Sequence, residues 1–134
     1  MWRNTGIGFL LLVLLVMVTG CQATQSEFTR TAGDAGAAFA AASTTITYVH
    51  QGKITKAYAS SAFVNYQSEL DGLDQSLPSQ QGAPDKPAIE HLLDLYKQAI
   101  KAVDNPCLDA SCDWRRQVEA LNRASEAFVK AGGS

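Results

Sequence analysis

The chain has 134 residues, 18% of them charged, and carries 11 basic against 13 acidic side chains for a formal net charge of −2. This balance provides no strong positive field, which argues against a nucleic-acid-binding protein. The length allows one domain with a hydrophobic core and is too short for two.

Residues 1–20 read as an export signal rather than as part of the fold. Arg3 supplies a positive charge, an apolar run extends over Phe9–Val18, and the small residues Thr19 and Gly20 follow. This is the arrangement of a secretory signal peptide. A transmembrane helix needs about 20 consecutive apolar residues, and this run is shorter. An uncleaved anchor helix is therefore the less favoured alternative.

The motif Val18-Thr19-Gly20-Cys21 ends this segment and resembles the lipobox of bacterial lipoproteins. The resemblance covers residues 1–21 only. It implies that the thiol of Cys21 is diacylated, that the chain is cut just before this residue, and that in many bacteria the new amino group is acylated as well. Two acyl chains anchor a protein stably where one does not. A chance cysteine near an ordinary cleavage site is the alternative.

The same resemblance implies a location and a domain organisation. We expect an extracytoplasmic domain in the cell envelope, held at a membrane through Cys21 and a tether over residues 21–25. Gln22 stands where enterobacteria-like lipoproteins of the inner membrane carry Asp, which favours the outer membrane in a host that has one. The folded domain is then predicted over residues 26–131, followed by a disordered tail at 132–134.

Four helical segments follow, each with apolar residues three and four positions apart. The first is predicted over Ser26–His50. Its apolar stripe is rich in alanine, and Gly33 and Gly36 lie beside it, so that another helix can approach closely. The second is predicted over Ile54–Leu77, and a proline-rich loop follows at Pro78–Pro87.

The third helix is predicted to begin after Asp85, a suitable cap. It should end near Asn105-Pro106, because proline disfavours helical geometry in the residue before it. Asp113 is a suitable cap for the last helix. No segment alternates convincingly enough to indicate a strand. Short connections favour antiparallel neighbours, so we expect an all-α, antiparallel four-helix bundle.

Cys107 and Cys112 form a pair once Cys21 is used for lipidation. In an oxidising envelope such a pair favours a disulfide, which would clip the turn between the third and fourth helices and contribute about 2 kcal/mol. A redox motif normally has two residues between its cysteines, and a zinc site needs further thiols or imidazoles nearby. Free thiols and a redox or metal role are therefore the weaker alternatives.

His50 and His91 are the histidines of the chain, and both methionines lie in the leader. A His/Met haem site is thereby excluded, and no C-x-x-C-H motif occurs. Bis-histidine ligation is formally open, but both positions read better as exposed or structural histidines. We expect no cofactor.

The acidic side chains of the second and third helices fall off the apolar stripes, which indicates a solvated polar face rather than an acid–base pair. Serine nucleophiles lack a nearby base, and neither a G-x-S-x-G elbow nor a phosphate loop occurs. We therefore expect a protein that is not an enzyme.

Arg115, Arg116 and Arg123 make the last helix locally basic and form the candidate partner surface, suited to an acidic face of another protein. A solvated helix is the plainer interpretation. Four tyrosines lie either at the rim of the core or at a contact surface. They are Tyr48, Tyr58, Tyr66 and Tyr96.

The sequence thus favours a non-enzymatic envelope lipoprotein whose helices bind an envelope protein or stabilise an assembly. About six residues separate Cys21 from Phe28, at most about 20–25 Å when extended, which keeps the domain close to the membrane. The alternative is a small-molecule or haem-binding bundle. A second alternative is a surface exclusion lipoprotein, which shares the size and anchoring but has no diagnostic motif.

Overall fold

The computed structural model describes residues 25–133, and within this range it is helical, with no strand. The leader, the lipobox and Cys21 lie outside the described residues. The helices in chain order are α1 (Glu27–His50), α2 (Lys56–Leu70), the short α3 (Leu73–Ser76), α4 (Lys86–Asp104) and α5 (Trp114–Ala131). Four of these are long, which confirms the predicted four-helix bundle.

The long helices pack in a ring in which each contacts its neighbours along the chain and the first contacts the last. The interface between α1 and α5 is the most extensive, α4 packs on α5, α2 packs on α1, and the contact of α2 with α4 is lighter. Successive helices run in opposite directions, as in an up-down-up-down bundle. We call the end that holds the start of α1 and the end of α5 the entry end, and the opposite end the distal end.

Side-chain caps set several helix starts. Ser26 accepts a hydrogen bond from the Thr29 N–H at the start of α1, and Asp113 accepts one from the Arg116 N–H at the start of α5, which confirms the predicted cap of the last helix. Asp85 precedes α4 but its side chain caps no N–H. A cap usually bonds the second or third helical N–H, and the second residue here is a proline, which has none.

The second helix was predicted to continue through Leu77, and this is wrong. It ends at Leu70, and the chain turns at Gly72, whose φ is +72°. Glycine adopts this left-handed conformation without the steric penalty of a side chain. The turn restarts the chain as α3 and a 3₁₀ turn over Leu77–Ser79. Leu70 and Leu77 are both fully buried, so the apolar face is retained although the helix is broken.

The core is aromatic at its centre. The Phe39 ring lies 6.0 Å from that of Tyr96 and 5.7 Å from that of Phe128, between centroids. The Tyr96 hydroxyl donates a 2.6 Å hydrogen bond to the carbonyl of Leu70. That carbonyl belongs to the last turn of α2, where no helical N–H follows to bond it. Tyr96 therefore provides, from within the core, a hydrogen-bond donor for the carbonyl at the end of α2.

A helix approaches α1 closely beside Gly36, as the sequence predicted, and the structure identifies this neighbour as α5. A methyl group added at Gly36 would lie 2.7 Å from the Val129 side chain and 2.8 Å from its backbone nitrogen. The Ser125 hydroxyl donates a 2.9 Å hydrogen bond to the Gly36 carbonyl. A methyl group added at Gly33 would meet nothing within 4 Å. Space for a side chain is therefore lacking at Gly36 and present at Gly33.

We expect Gly36→Ala and Gly33→Ala to change stability in opposite directions. Each substitution improves helix propensity by about 1 kcal/mol. At Gly36 the new methyl group also collides with α5, and overpacking of this kind costs about 1–3 kcal/mol. Urea unfolding of the purified protein should rank Gly33→Ala above the parent and Gly36→Ala below it. Equal effects of the two substitutions would contradict the close packing of α1 on α5.

Tyr96→Phe is expected to lower the free energy of unfolding by about 1–3 kcal/mol, because the buried Leu70 carbonyl loses its donor. Burial, with smaller contributions from Asp74, Asp104 and Asp71, raises the pKa of Tyr96 from 10.0 to about 12. The unfolded chain therefore loses this proton first, and stability should fall as the pH rises from about 10 towards 12.

The measurement is urea unfolding at neutral and alkaline pH, with Tyr58→Phe as the control at an exposed ring. The control should keep both the neutral stability and the alkaline loss of the parent. Tyr96→Phe should be less stable at neutral pH and should lose the part of the alkaline decline that Tyr96 contributes. An unchanged neutral stability in Tyr96→Phe would contradict the role of this hydrogen bond.

Candidate binding surfaces

A disulfide between Cys107 and Cys112 holds the loop between α4 and α5 at the distal end, with the two Cα atoms 5.9 Å apart. This confirms the predicted pairing. Cys107 is buried and Cys112 is exposed. The Cys107 N–H donates to Gln117 Oε1 over 2.7 Å, and Gln117 Nε2 donates to the Asn105 carbonyl over 3.0 Å. The first turns of α5 therefore bind the loop back onto the end of α4.

His50 joins the end of α1 to the same loop. Its ring stacks on Trp114 with centroids 4.5 Å apart and an angle of 8° between the planes. Its Nε2 lies 2.9 Å from the carbonyl oxygen of Cys107, and because a carbonyl oxygen only accepts, the ring donates from this nitrogen. His50 is thus a structural histidine, one of the two interpretations that the sequence left open.

An exposed ion pair links α2 to the loop. Lys56 donates to Asp109, and this hydrogen bond together with the ammonium charge holds the pKa of Asp109 below its ordinary value. Surface pairs of this kind add little stability. The contact shows that the start of α2 lies beside the disulfide loop, so that all four long helices meet at the distal end.

Aromatic and cationic side chains are exposed around this frame. The Arg115 guanidinium lies 4.6 Å from the centroid of the Trp114 ring. Tyr58, in the first turn of α2, is 65% exposed, and Tyr48, near the end of α1, is 40% exposed. Lys53 lies over the Tyr48 ring, 4.8 Å from its centroid. Tyrosine and arginine are enriched among the residues that dominate protein interfaces.

Arg116 borders a small cleft between α4 and α5 at the distal end. The cleft has a volume of about 380 Å³, and Lys101, Asn105 and Gln117 are among its other lining residues. Lys101 and Arg116 supply two cations to this opening, and the side chains of Gln98 and Asp113 line it as well, so the cleft is polar and carries both signs of charge. Lys101 was not among the candidate residues from the sequence, because only the packing of α4 against α5 brings it beside Arg116.

Arg123 lies elsewhere. It is two turns further along α5 than Arg116, forms an ion pair with Glu119 one turn away, and lines a different opening, near the entry end. The structure therefore brings two of the three candidate arginines, Arg115 and Arg116, to the distal end and separates the third from them.

The opening near Arg123 is a groove between α4, α5 and the start of α1, with a volume of about 850 Å³. We call it the entry groove. Polar side chains also line it, and these are Thr29, His91, Arg123, Glu126 and Lys130. Its apolar lining includes Phe28, Pro84, Leu92, Leu95, Ala127 and Ala131. The volume lies within the range of ligand-binding sites in proteins.

Leu95 is the residue whose position in the sequence indicates this groove. It falls outside the apolar stripe that defines the core face of α4, yet it is a large apolar residue and only half-buried. An apolar residue beside a complete stripe extends the apolar surface past the core, which is how a groove between two helices acquires an apolar wall.

The two histidines lie at opposite ends of the bundle, His50 at the distal end and His91 in the entry groove. They cannot bind one haem iron between them. Among the described residues, no group of three or more His, Cys, Asp or Glu side chains is arranged to hold a metal ion. The tyrosines also divide. Tyr66 and Tyr96 pack in or against the core with bonded hydroxyls, whereas Tyr48 and Tyr58 are exposed.

Breaking the disulfide should lower the free energy of unfolding by about 2 kcal/mol, because the short loop regains entropy in the unfolded chain. The test compares Cys112→Ser with the oxidised parent by urea unfolding, and Ser111→Ala serves as the control in the same exposed loop. Alkylation of the parent before and after reduction should modify Cys107 and Cys112 only after reduction. Labelling without reductant would contradict the oxidised pair.

None of the helices within residues 25–133 is long and apolar enough to cross a bilayer. No family model, curated protein or solved structure matches the chain.

Proposed function

We propose that the chain is a lipid-anchored envelope protein, without catalytic activity, whose distal end binds a partner protein. The observation that carries the proposal is the composition of this end. This end carries two exposed tyrosines, Tyr48 and Tyr58, and two arginines, Arg115 and Arg116. The disulfide and the stack of His50 on Trp114 hold the backbone that presents them.

The rigidity of this frame supports a binding role. Affinity is reduced by the entropy lost when side chains and loops become ordered on binding. Here the loop at 105–113 is already fixed by the disulfide and by Gln117, and Arg115 is already held over an aromatic ring. A partner can therefore contact a surface that changes little on binding.

The position of the distal end suits a partner in the envelope. Helix α1 has 24 residues, which corresponds to about 36 Å at 1.5 Å per residue. With Cys21 acylated, the start of α1 lies near the lipid, and the distal end faces away from it or along it. The partner is then a protein of the same membrane or one that reaches its surface, with an acidic face opposite Arg115 and Arg116.

The experiment places a photo-crosslinking amino acid at Tyr58 or at Val64 in the anchored, full-length protein. Both positions are on α2 and about equally exposed, at 65% and 62%, but Val64 lies nearer the middle of the helix. We expect a reproducible envelope protein crosslinked from Tyr58 and much less from Val64. Arg115→Glu with Arg116→Glu should reduce the Tyr58 product at least about tenfold, the effect of losing one strong interface contact.

Three outcomes would contradict the proposal. They are the absence of a reproducible partner from Tyr58, equal products from both positions, and a product that is insensitive to the charge reversals. The anchor has its own measurement, mass spectrometry of the mature N-terminus. An acylated Cys21 is expected there, and an intact chain with an unmodified cysteine would contradict it.

A further inference from the structure

We propose that the entry groove seats one acyl chain carried by Cys21 of the same protein. The inference rests on the lipid anchor of the proposed function and extends it, because it assigns a binding site to the anchor itself. It concerns the opposite end of the bundle from the proposed partner surface, so the acyl seat and the partner surface can each fail without the other, whereas failure of the anchor removes the seat.

The chain is fixed where it meets the groove. The Phe28 N–H donates a 3.1 Å hydrogen bond to the Gln81 carbonyl, and Ser26 caps α1 by accepting from the Thr29 N–H. Ser26 also lies against Gly82, where an added methyl group would come within 2.4 Å of it. The groove lining includes Phe28, Thr29 and Gly82, so the first described residues of the chain lie at its edge.

The distance from this edge to Cys21 is short. Four residues lead from Cys21 to Gln25, and a fully extended chain of that length spans at most about 14 Å. An acyl chain on Cys21 therefore starts close to the groove whatever path the linker takes. A short linker of this kind gives an effective concentration in the millimolar range, which favours this acyl chain over a free fatty acid.

The groove has the chemistry of a hydrocarbon site. Leucines and alanines of α4 and α5 and the ring of Phe28 form its apolar surface, and the charged side chains Arg123, Glu126 and Lys130 also border it. A saturated chain offers no polar group and is held by contact area alone. The opening measures about 850 Å³, and its charged side chains and His91 are exposed, so they can stay in water beside a bound acyl chain.

Seating one chain is compatible with anchoring. A lipoprotein that is acylated on both the thiol and the amino group carries three chains, and two chains in the bilayer are sufficient for stable attachment. The third can lie in the groove. This would hold the entry end against the membrane.

The test uses cells fed a fatty acid that carries a photoreactive diazirine, with the full-length protein expressed in its native membrane. Incorporation of the label into Cys21 reports the anchor. After irradiation, digestion and mass spectrometry locate the crosslink. We expect an intramolecular product between the Cys21 peptide and the segments of α4 or α5 that contain Leu95 or Ala127, and little product with α2.

Two variants alter the groove in different ways. Leu95→Glu makes its wall charged, and Ala88→Trp fills it from an exposed position on α4. Each should reduce the intramolecular product about tenfold, equivalent to 1.4 kcal/mol, with unchanged helix content by circular dichroism. Val64→Glu places the same charge at an exposed position on α2 and should leave the product at the parent level. If Leu95→Glu fails to fold, Ala88→Trp still tests the site.

The remaining outcomes overturn the inference in distinguishable ways. If Cys21 is labelled but crosslinks only to bilayer lipid, the anchor is supported and binding of the acyl chain in the groove is ruled out. A groove adduct with the mass of a phospholipid, which persists in Cys21→Ser, assigns the groove to bilayer lipid instead. A crosslinked envelope protein in the groove assigns it to a partner. An unlabelled Cys21 removes both the seat and the lipid anchor.

Discussion

The close contact between α1 and α5 is the constraint on which the rest of the bundle depends. At Gly36 the two backbones are separated by less than a methyl group would need, and the Ser125 hydroxyl bonds across the gap. Because the approach is so close, Phe39 of α1 and Phe128 of α5 meet at the centre of the bundle. Tyr96 of α4 then packs on Phe39, and its hydroxyl fixes the end of α2.

Both candidate surfaces follow from that arrangement, because α5 contributes to each. Its first turns carry Trp114, Arg115 and Arg116 and bind the disulfide loop at the distal end. Its last turns, with Ala127 and Ala131, form a wall of the entry groove. Small side chains serve there in two ways. They let α1 approach on one face of α5, and on the adjoining face they leave space between α5 and α4.

Local sequence patterns predicted much of the fold. The spacing of apolar residues gave the four helices, Asp113 gave the start of the last one, and the count of cysteines gave the disulfide. These features depend on a few neighbouring residues. The break at Gly72 was missed because Leu70, Leu73 and Leu77 keep the spacing of a continuous helix across it. The two segments are separated at a glycine with positive φ, and a single glycine inside an apolar helical pattern is a weak signal for a break.

The sites were harder to predict than the fold because they depend on which helices become neighbours. Arg115, Arg116 and Arg123 share one helix, so the sequence grouped them, but seven residues along a helix correspond to about 10 Å. That distance places Arg123 on the entry groove and its companions at the distal end. Conversely, Lys101 and Arg116 line the same cleft although they belong to different helices, α4 and α5. The stack of His50 on Trp114 likewise joins residues that no spacing rule relates.

The separation of the two surfaces has a physical consequence for an anchored protein. A domain attached to a membrane only through its first residue can take many orientations, and each one presents the distal end differently to a partner. An acyl chain bound at the entry end would remove most of that freedom. The orientational entropy would then be lost when the anchor is seated rather than when the partner binds, and the distal end would be presented in a narrow range of directions. In that case the distal frame and the entry groove would both reduce the entropy lost when the partner binds. The frame would do so by fixing the contact residues, and the groove by fixing the direction in which they face.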